Sequence, residues 1–265
     1  MHDAAEIKIY WDNRAEESNG NPSATTQDIF LRRLEIKTLV DSITKLRING
    51  KIKILDIGCG DGYSTMNIAR KISNSDFVGI DYSAKMIENA RKNLAIYREL
   101  ENRVTFKTGD VTAVDEIVNA DEFDFIITDR CLINLISAEA QYDAIKRIYH
   151  VLKPGGFYLA IENFNEGQIE LNKARAAVGL NEIKIRWHNN FFNQKEFLQQ
   201  MQDIFSDVQL EEFSSAYYFA TRVIYSKYCQ IKNEEPDYEH EIHRLAVDLP
   251  SYGSYSPIKL AVLKK

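Results

Sequence analysis

A doubly wound α/β fold, with a mostly parallel sheet covered by helices on both faces, is predicted by three observations. Short runs rich in β-branched residues alternate with amphipathic helical stretches between residues 51 and 164. The first run passes directly into a glycine turn, Asp56-Ile57-Gly58-Cys59-Gly60-Asp61-Gly62. The next two runs end on acids, Asp81 and Asp110.

Strands are expected at about 52–57, 76–81, 104–108, 123–128 and 156–162. Helices should fill the gaps at Ser64 to Ile72, Ala84 to Tyr97, a short turn near Val114, and Glu139 to Leu152. Lys153-Pro154-Gly155-Gly156 should stop the last of these, because proline cannot continue a helix. A helical N-terminal arm of about 50 residues comes before the alternation. After it lie a polar, aromatic-rich stretch, a helix at Gln194 to Met201, and two more strands at Val208 to Phe213 and Ile258 to Leu263. The connection between those strands exceeds 40 residues, long enough to carry its own helix and serve as a lid. The chain therefore divides into an N-terminal helical cap at 1–50, a core at 51–164, and an elaboration with lid at 165–265 that carries the last two core strands.

Of the 265 residues 45% are hydrophobic, enough for a real core, and the net charge of −6 argues against a broad grip on a nucleic-acid backbone. Cys59, Cys131 and Cys229 form no Cys-x-x-Cys pair, so neither a disulfide framework nor a structural zinc site is expected, and a reducing cytoplasm fits best. The opening Met1-His2-Asp3-Ala4-Ala5-Glu6 lacks the basic-then-apolar order of a signal peptide. No apolar run approaches the ~20 residues needed to span a bilayer, so a soluble protein without membrane insertion is expected.

Glycines in the first turn let the backbone bend sharply and approach a ligand, while the following helix aims its free N–H groups at that ligand. A dinucleotide fingerprint would need a third glycine at position 63, where Tyr63 stands; that bulk argues against a pyrophosphate over the turn. A carboxylate at Asp81, on the ligand-binding edge of the sheet, can accept both hydroxyls of a ribose. Asp81 would otherwise cap the helix beginning near Ala84, a role Ser83 can fill equally well. Asp110, again at a strand end, can accept from an exocyclic adenine amine.

Asp56 to Gly62, Asp81, Gly109-Asp110, Asp124 to Asp129 and Leu152-Lys153-Pro154-Gly155-Gly156 resemble the successive motifs of class I S-adenosylmethionine-dependent methyltransferases. The resemblance covers roughly residues 50 to 165. It implies a Rossmann-like sheet of seven strands with an antiparallel last strand, Ile258 to Leu263, and makes 51–164 the cofactor-binding core. Carried over, it puts the methionine moiety of S-adenosylmethionine against Asp56, Gly58, Cys59 and Gly60, the ribose on Asp81, and the adenine beside Tyr82, Asp110 and Val111, with Met86 and Asp129 completing the set. Tyr10-Trp11-Asp12-Asn13-Arg14 is similar to the arm that closes over the cofactor in many members; its plainer reading is an amphipathic helix anchored by Trp11.

Ligands of open α/β sheets meet outside the carboxyl ends of the strands, so Asp129-Arg130-Cys131 and Glu162-Asn163 should face the transferring methyl group. A hydroxyl acceptor must lose its proton, and the candidate bases are Glu162 and His188, of which the imidazole has the suitable unperturbed pKa of ~6.5. His188 sits in Ile185-Arg186-Trp187-His188-Asn189-Asn190-Phe191-Phe192, a mix of imidazole, amides and rings suited to a pocket wall; a structural histidine is the alternative. Arg130, Arg175 and Arg186 can hold an anionic acceptor, although Arg175 can equally lie on a solvated helix face. Asn163, Asn189, Tyr252 and Tyr255 are further acceptor-contact candidates, the tyrosines from the far end of the lid.

Thr128-Asp129-Arg130-Cys131 differs from the Pro-Pro turn of enzymes that methylate nucleic-acid bases. Asp129 with Glu162-Asn163 faintly resembles the acids of cation-dependent O-methyltransferases, but acids at strand ends are common and no catalytic metal is expected. Arg130 to Leu135, Trp187-His188-Asn189 and Leu249 to Leu260 resemble methyltransferases of bacterial surface-polysaccharide synthesis. That likeness implies a small-molecule acceptor oxygen on a sugar, a nucleotide-linked precursor or a phosphate-type group. N-methylation of a small amine or protein terminus, and a non-catalytic cofactor-binding regulator, are the competing readings.

Overall fold

The computed structural model describes residues 3–18, 20–21, 25–46 and 48–265. Met1 and His2, part of the stretch read for a signal peptide, lie outside the described residues. Two helices open the chain, α1 (Ala4–Ser18) and α2 (Ile29–Leu46), where one arm is expected. The alternation follows as β1 (Ile52–Ile57), α3 (Tyr63–Lys71), β2 (Ser75–Asp81), α4 (Ala84–Leu94), β3 (Val104–Thr108), α5 (Val114–Ile117), β4 (Phe123–Asp129), α6 (Ala138–Val151) and β5 (Leu152–Asn163). Then come α7 (Asn165–Ala177), α8 (Gln194–Ile204), β6 (Asp207–Glu211), α9 (Ser215–Tyr218), α10 (Ser226–Lys232), α11 (Glu241–Ala246) and β7 (Ile258–Lys264).

The seven strands form one sheet in the order β3-β2-β1-β4-β5-β7-β6. β1 to β5 pair in parallel, and β7 runs antiparallel to both β5 and β6, as expected of a Rossmann-like sheet with a reversed last strand. Order reverses between β1 and β4, which opens a crevice at their carboxyl ends.

The period-two alternation of a strand sends Ile52 and Ile54 to one apolar layer and Leu55 and Ile57 to the other. The first layer also takes Leu31, Leu39 and Ile43 from α2, and Tyr217, Ala220 and Ala246 from the connection between β6 and β7. The second takes Ile145 and Ile148 of α6 and Phe197 and Met201 of α8. The N-terminal cap and the insertion thus share one face of the sheet.

Lys153-Pro154-Gly155-Gly156, read from sequence as a helix stop, lies inside β5. Leu152 pairs with Phe123 and Phe157 with Phe125, so the segment between them bulges out of register. The bulge holds proline where no ladder hydrogen bond is needed, and Gly155 turns through φ 76°. The connection between β6 and β7 carries α9 to α11 and a π-helical stretch, Phe219–Tyr225. Among the described residues no helix is long and apolar enough to cross a membrane.

Candidate functional site

β1 delivers Asp56 to the crevice and then turns through Gly58, Gly60 and Gly62, all at positive φ. At position 58 a Cβ would lie 2.6 Å from Cys131 Sγ, so the first turn residue is confined to glycine by contact as well as by dihedral. Asp81, at the end of β2, is tied into this turn: Oδ2 accepts from Gly60 N at 2.9 Å and Oδ1 from Ser83 N at 2.9 Å. Ser83 Oγ accepts from Met86 N and caps α4, so the cap falls to the serine. Burial pushes Asp81 up to about 6 and Asp56 up to about 7, although Thr65 Oγ1 donates to Asp56 and lowers it in part. Each Asp81 oxygen accepts only one bond here and keeps acceptor capacity for a ligand hydroxyl.

These groups open on a cleft of about 320 Å³ lined by Asp56, Gly58, Cys59, Gly60, Asp81 and Tyr82 on one side. That size is ordinary for a small-molecule site. The residues present fit the nucleoside and methionine portions of S-adenosylmethionine: a bare-backbone glycine turn, buried carboxylates at two strand ends, and apolar Met86. Tyr63 does not project into the cleft; its ring packs under the Arg32 guanidinium, 4.6 Å from the ring centroid.

Helix α1 closes this end. Trp11 Nε1 donates to Asn134 Oδ1 at 3.2 Å, Ser83 Oγ bonds Asp12 Oδ1, and Asn89 Nδ2 donates to Ala15 O. Both earlier readings of this segment meet in Trp11, which anchors the helix and lines the cleft. Tyr10 lies outside the lining with its ring centroid 4.5 Å from that of His188, and Arg14, half-buried and also outside the lining, pairs with Glu17 Oε2 at 3.5 Å.

Past β4, Asp129, Arg130 and Cys131 reach the cleft, and past β5 so does Asn163. Arg130 adopts φ 55° and pairs with Glu35 Oε2 at 3.0 Å and Asp129 Oδ1 at 3.4 Å. Asn163 Oδ1 and His188 Nδ1 are buried and have no hydrogen-bond partner among the described residues. Both residues line the cleft, and Asn189 lies beside them with Nδ2 on Asn134 Oδ1. Burial, with the nearby Arg186 charge, lowers the His188 pKa to about 4, so the imidazole is neutral at physiological pH.

Glu162 has another place than the one expected. It is fully buried, outside the cleft lining, and accepts backbone N–H groups from Cys131 and Leu132 on Oε1 and from Ile133 on Oε2. The carboxylate holds the turn after β4; its pKa, pushed up to about 7 by burial, belongs to a structural group. Arg175 also stands apart from the cleft, donating to the carbonyls of Asn181 and Arg222. Tyr252 is 78% exposed, and Tyr255 packs against Phe219 with the ring centroids 4.8 Å apart and the planes tilted by 40°; neither lines the cleft. Asp110 caps the short turn Val111–Ala113 at the end of β3, and both Asp110 and Val111 lie beyond the cleft lining.

The insertion reaches the cleft through Tyr218, Arg222 and Tyr238, and the cap through Asp28, Leu31 and Arg32. Sequence reasoning missed this wall. One signal was present: Arg32 and Glu35 interrupt the apolar stripe Leu31, Leu34, Leu39 and Ile43 of α2, and both are buried. Arg32 pairs with Asp61, Arg130 with Glu35, and Arg222 with Asp28. Glu35 Oε1 has no partner among the described residues, and burial pushes Glu35 up to about 8 despite the Arg130 charge. Arg222 is flanked by the rings of Tyr218 and Tyr238, at 5.4 and 5.0 Å.

A family profile described as a methyltransferase domain matches residues 48–212. The malonyl-[acyl-carrier protein] O-methyltransferase of Priestia megaterium is 29% identical over 152 residues, 57% of this chain and 51% of that protein. The indolepyruvate C-methyltransferase of Streptomyces griseus is 29% identical over 158 residues, 60% and 46% of the two chains. The chain spans about half the length, or less, of these curated relatives. Among solved structures, a magnesium protoporphyrin IX methyltransferase from Synechocystis with bound S-adenosylhomocysteine has a TM-score of 0.62 at 12% identity, covering 99% of this chain and 100% of that one.

Proposed function

The chain belongs to the methyltransferase-domain family, and from that premise we propose that it transfers the methyl group of S-adenosylmethionine to an oxygen of a small acceptor. The family supports S-adenosylmethionine-dependent methyl transfer, and the oxygen and the acceptor class are the finer part of the proposal. The observation that carries the proposal is the pair of buried, unpartnered polar atoms, Asn163 Oδ1 and His188 Nδ1, in the cleft wall. Polar atoms left so are costly unless a ligand completes their hydrogen bonds, which favours a polar acceptor at this point.

In this reading Asp81 and the glycine turn orient the nucleoside, Asp56 and Cys59 flank the methionine moiety, and Trp11 closes the site. S-adenosylmethionine supplies a methyl group already activated as a sulfonium, so the chain's main task is to hold the acceptor oxygen in line and exclude water. His188, neutral with a pKa of about 4, is a hydrogen-bonding group and only a weak base. An acceptor oxygen that carries its own negative charge needs no proton removed, and Arg130 and Arg222 in the cleft wall offer it guanidinium N–H donors. Phosphate-type and nucleotide-linked phosphoryl oxygens of surface-polysaccharide synthesis meet these requirements, whereas a neutral sugar hydroxyl would need a base; the likeness of the Trp187-His188-Asn189 and C-terminal stretches supports that class.

The proposed division of labour gives residues 1–50 the cap, 51–164 the cofactor site, and 165–265 acceptor recognition together with β6 and β7. The test is product mass spectrometry with isotopically labelled S-adenosylmethionine and parallel panels of alcohol, phosphate, carboxylate and amine acceptors. Label on oxygen is expected; label confined to nitrogen or carbon would overturn the proposal.

A further inference from the structure

We propose that the mouth of the cleft binds a phosphoryl group of the acceptor, gripped by Lys184 and Arg186, with Trp187 as the platform for a ring attached to it. The proposal rests on the reading that this cleft takes a small acceptor opposite the cofactor. Residues 180–186 form no regular secondary structure, yet the segment is pinned at Ile183. Gln168 Nε2 and Asn172 Nδ2 of α7 donate to Ile183 O at 2.7 and 3.1 Å, and Ile183 N donates to Asn172 Oδ1 at 2.9 Å. A further bond, Asn189 N to Arg186 O at 3.0 Å, fixes the other end. Between these anchors Lys184 and Arg186 are exposed and line the cleft mouth.

Their charges differ in kind from those deeper in the cleft. Arg32, Arg130 and Arg222 each face a carboxylate, Asp61, Asp129 and Asp28 in turn, which offsets the positive charge in place. Among the described residues no carboxylate lies within ion-pair distance of Lys184 or Arg186. Glu182, on the same segment, is outside the cleft lining. On a chain of net charge −6, two such cations at one opening favour an anionic ligand there. Lys and Arg together suit a phosphoryl group, the guanidinium by its paired donors and the ammonium as a compact charge.

Trp187 supplies the second half of the site. It is 47% exposed, braced edge-on by Tyr10 at 5.9 Å and by His188 at 5.1 Å. A braced ring loses little freedom when a flat group stacks on it, and stacking tolerates any base.

The full chain, saturated with S-adenosylhomocysteine, is titrated calorimetrically with inorganic pyrophosphate and with uridine diphosphate, each at low and physiological salt. Both are expected to bind, more weakly as salt rises. K184E/R186E should weaken both by roughly ten-fold or more, the scale of losing charge-assisted contacts, while S-adenosylhomocysteine affinity stays unchanged. W187A should weaken uridine diphosphate and spare pyrophosphate; equal losses would overturn the ring platform. A chain that binds S-adenosylhomocysteine but neither probe, or a double variant that binds both as the wild type does, would overturn the phosphoryl site. Failure to bind S-adenosylhomocysteine would instead undo the cofactor reading beneath it.

Discussion

Arg222, on the insertion before the last strand, forms a buried ion pair with Asp28 at the start of α2, 194 residues away in sequence. Asp28 is a junction: its Oδ1 accepts from Leu31 N at 3.0 Å and from the Tyr217 hydroxyl at 2.6 Å. A hydroxyl has one proton, so at the 2.9 Å contact between Tyr217 and His243 Nδ1 the imidazole donates. Cap, insertion and first sheet layer are therefore joined through one carboxylate.

Asp28→Ala should destabilise the fold by about 3–5 kcal/mol, because it strands the Arg222 charge in a buried site. Burial raises the pKa of Asp28, but the neighbouring His243 imidazole, the Arg222 charge and the Tyr217 hydroxyl outweigh it and leave the group well below the ordinary carboxylate value. A depressed carboxylate stabilises the fold above its unfolded pKa of 3.8 and ceases to do so as pH falls toward the folded value. Urea unfolding at pH 7 and pH 3 checks both statements; a loss below about 1 kcal/mol at pH 7 would show that the junction is replaceable.

Asp81→Ala should weaken S-adenosylhomocysteine by roughly 1–3 kcal/mol in calorimetry while the protein stays folded. The ionised carboxylate is the better acceptor for ribose hydroxyls, and its pKa stands at about 6 in the free protein. Affinity should consequently decline as pH drops through 6 and level off above it. An unchanged affinity in the folded variant would remove Asp81 from the ribose.

His188 should show no titration in the methyl-transfer rate near its unperturbed pKa of ~6.5. With its pKa at about 4, the neutral form persists across the neutral range. His188→Asn, which keeps a hydrogen-bonding atom, should retain most of kcat and raise KM, and His188→Ala should raise KM further. Single-turnover rates from pH 5 to 8 decide it: a loss of 10²–10⁴-fold with a break near 6.5 would make His188 a general base after all.

The unliganded protein should be more stable at pH 5.5 than at pH 8. Burial raises Glu162 and Asp56 to about 7 and Glu35 to about 8, so the folded state holds protons that the unfolded chain releases near 4. An acid with a raised folded pKa stabilises fully below its unfolded value and loses that contribution as pH climbs through the folded one. Glu162→Ala should flatten the trend and cost about 1–3 kcal/mol by leaving the N–H groups of Cys131 to Ile133 without an acceptor. Glu162→Gln, with one carbonyl remaining, should cost less. Stability that rises from pH 5.5 to 8 would contradict the assignment.

The sheet and the strand ends that carry the glycine turn and the acids were legible in the sequence because their signals are local. Glycines at 58, 60 and 62 answer to backbone dihedrals, and Asp81 and Asp110 answer to strand ends that alternation alone reveals. Asp56, Asp81, Trp11, Arg130, Asn163, His188 and Asn189 all reach one cleft. What local pattern could not decide was environment. Glu162 and Asn163 are adjacent on β5, yet alternation turns one toward the Cys131–Ile133 amides and the other toward the cleft. The sequence also makes His188 an imidazole of ordinary pKa; its burial against the rings of Tyr10, Trp11 and Trp187, with the Arg186 charge nearby, is what lowers it. Arg222 and Asp28 meet only because the cap and the insertion pack on the same face of the sheet, and no motif in either segment encodes a contact across 194 residues. Dihedral needs and strand periodicity are properties of neighbours along the chain; burial, charge pairing and pKa depend on neighbours in space, which the tertiary fold alone assigns.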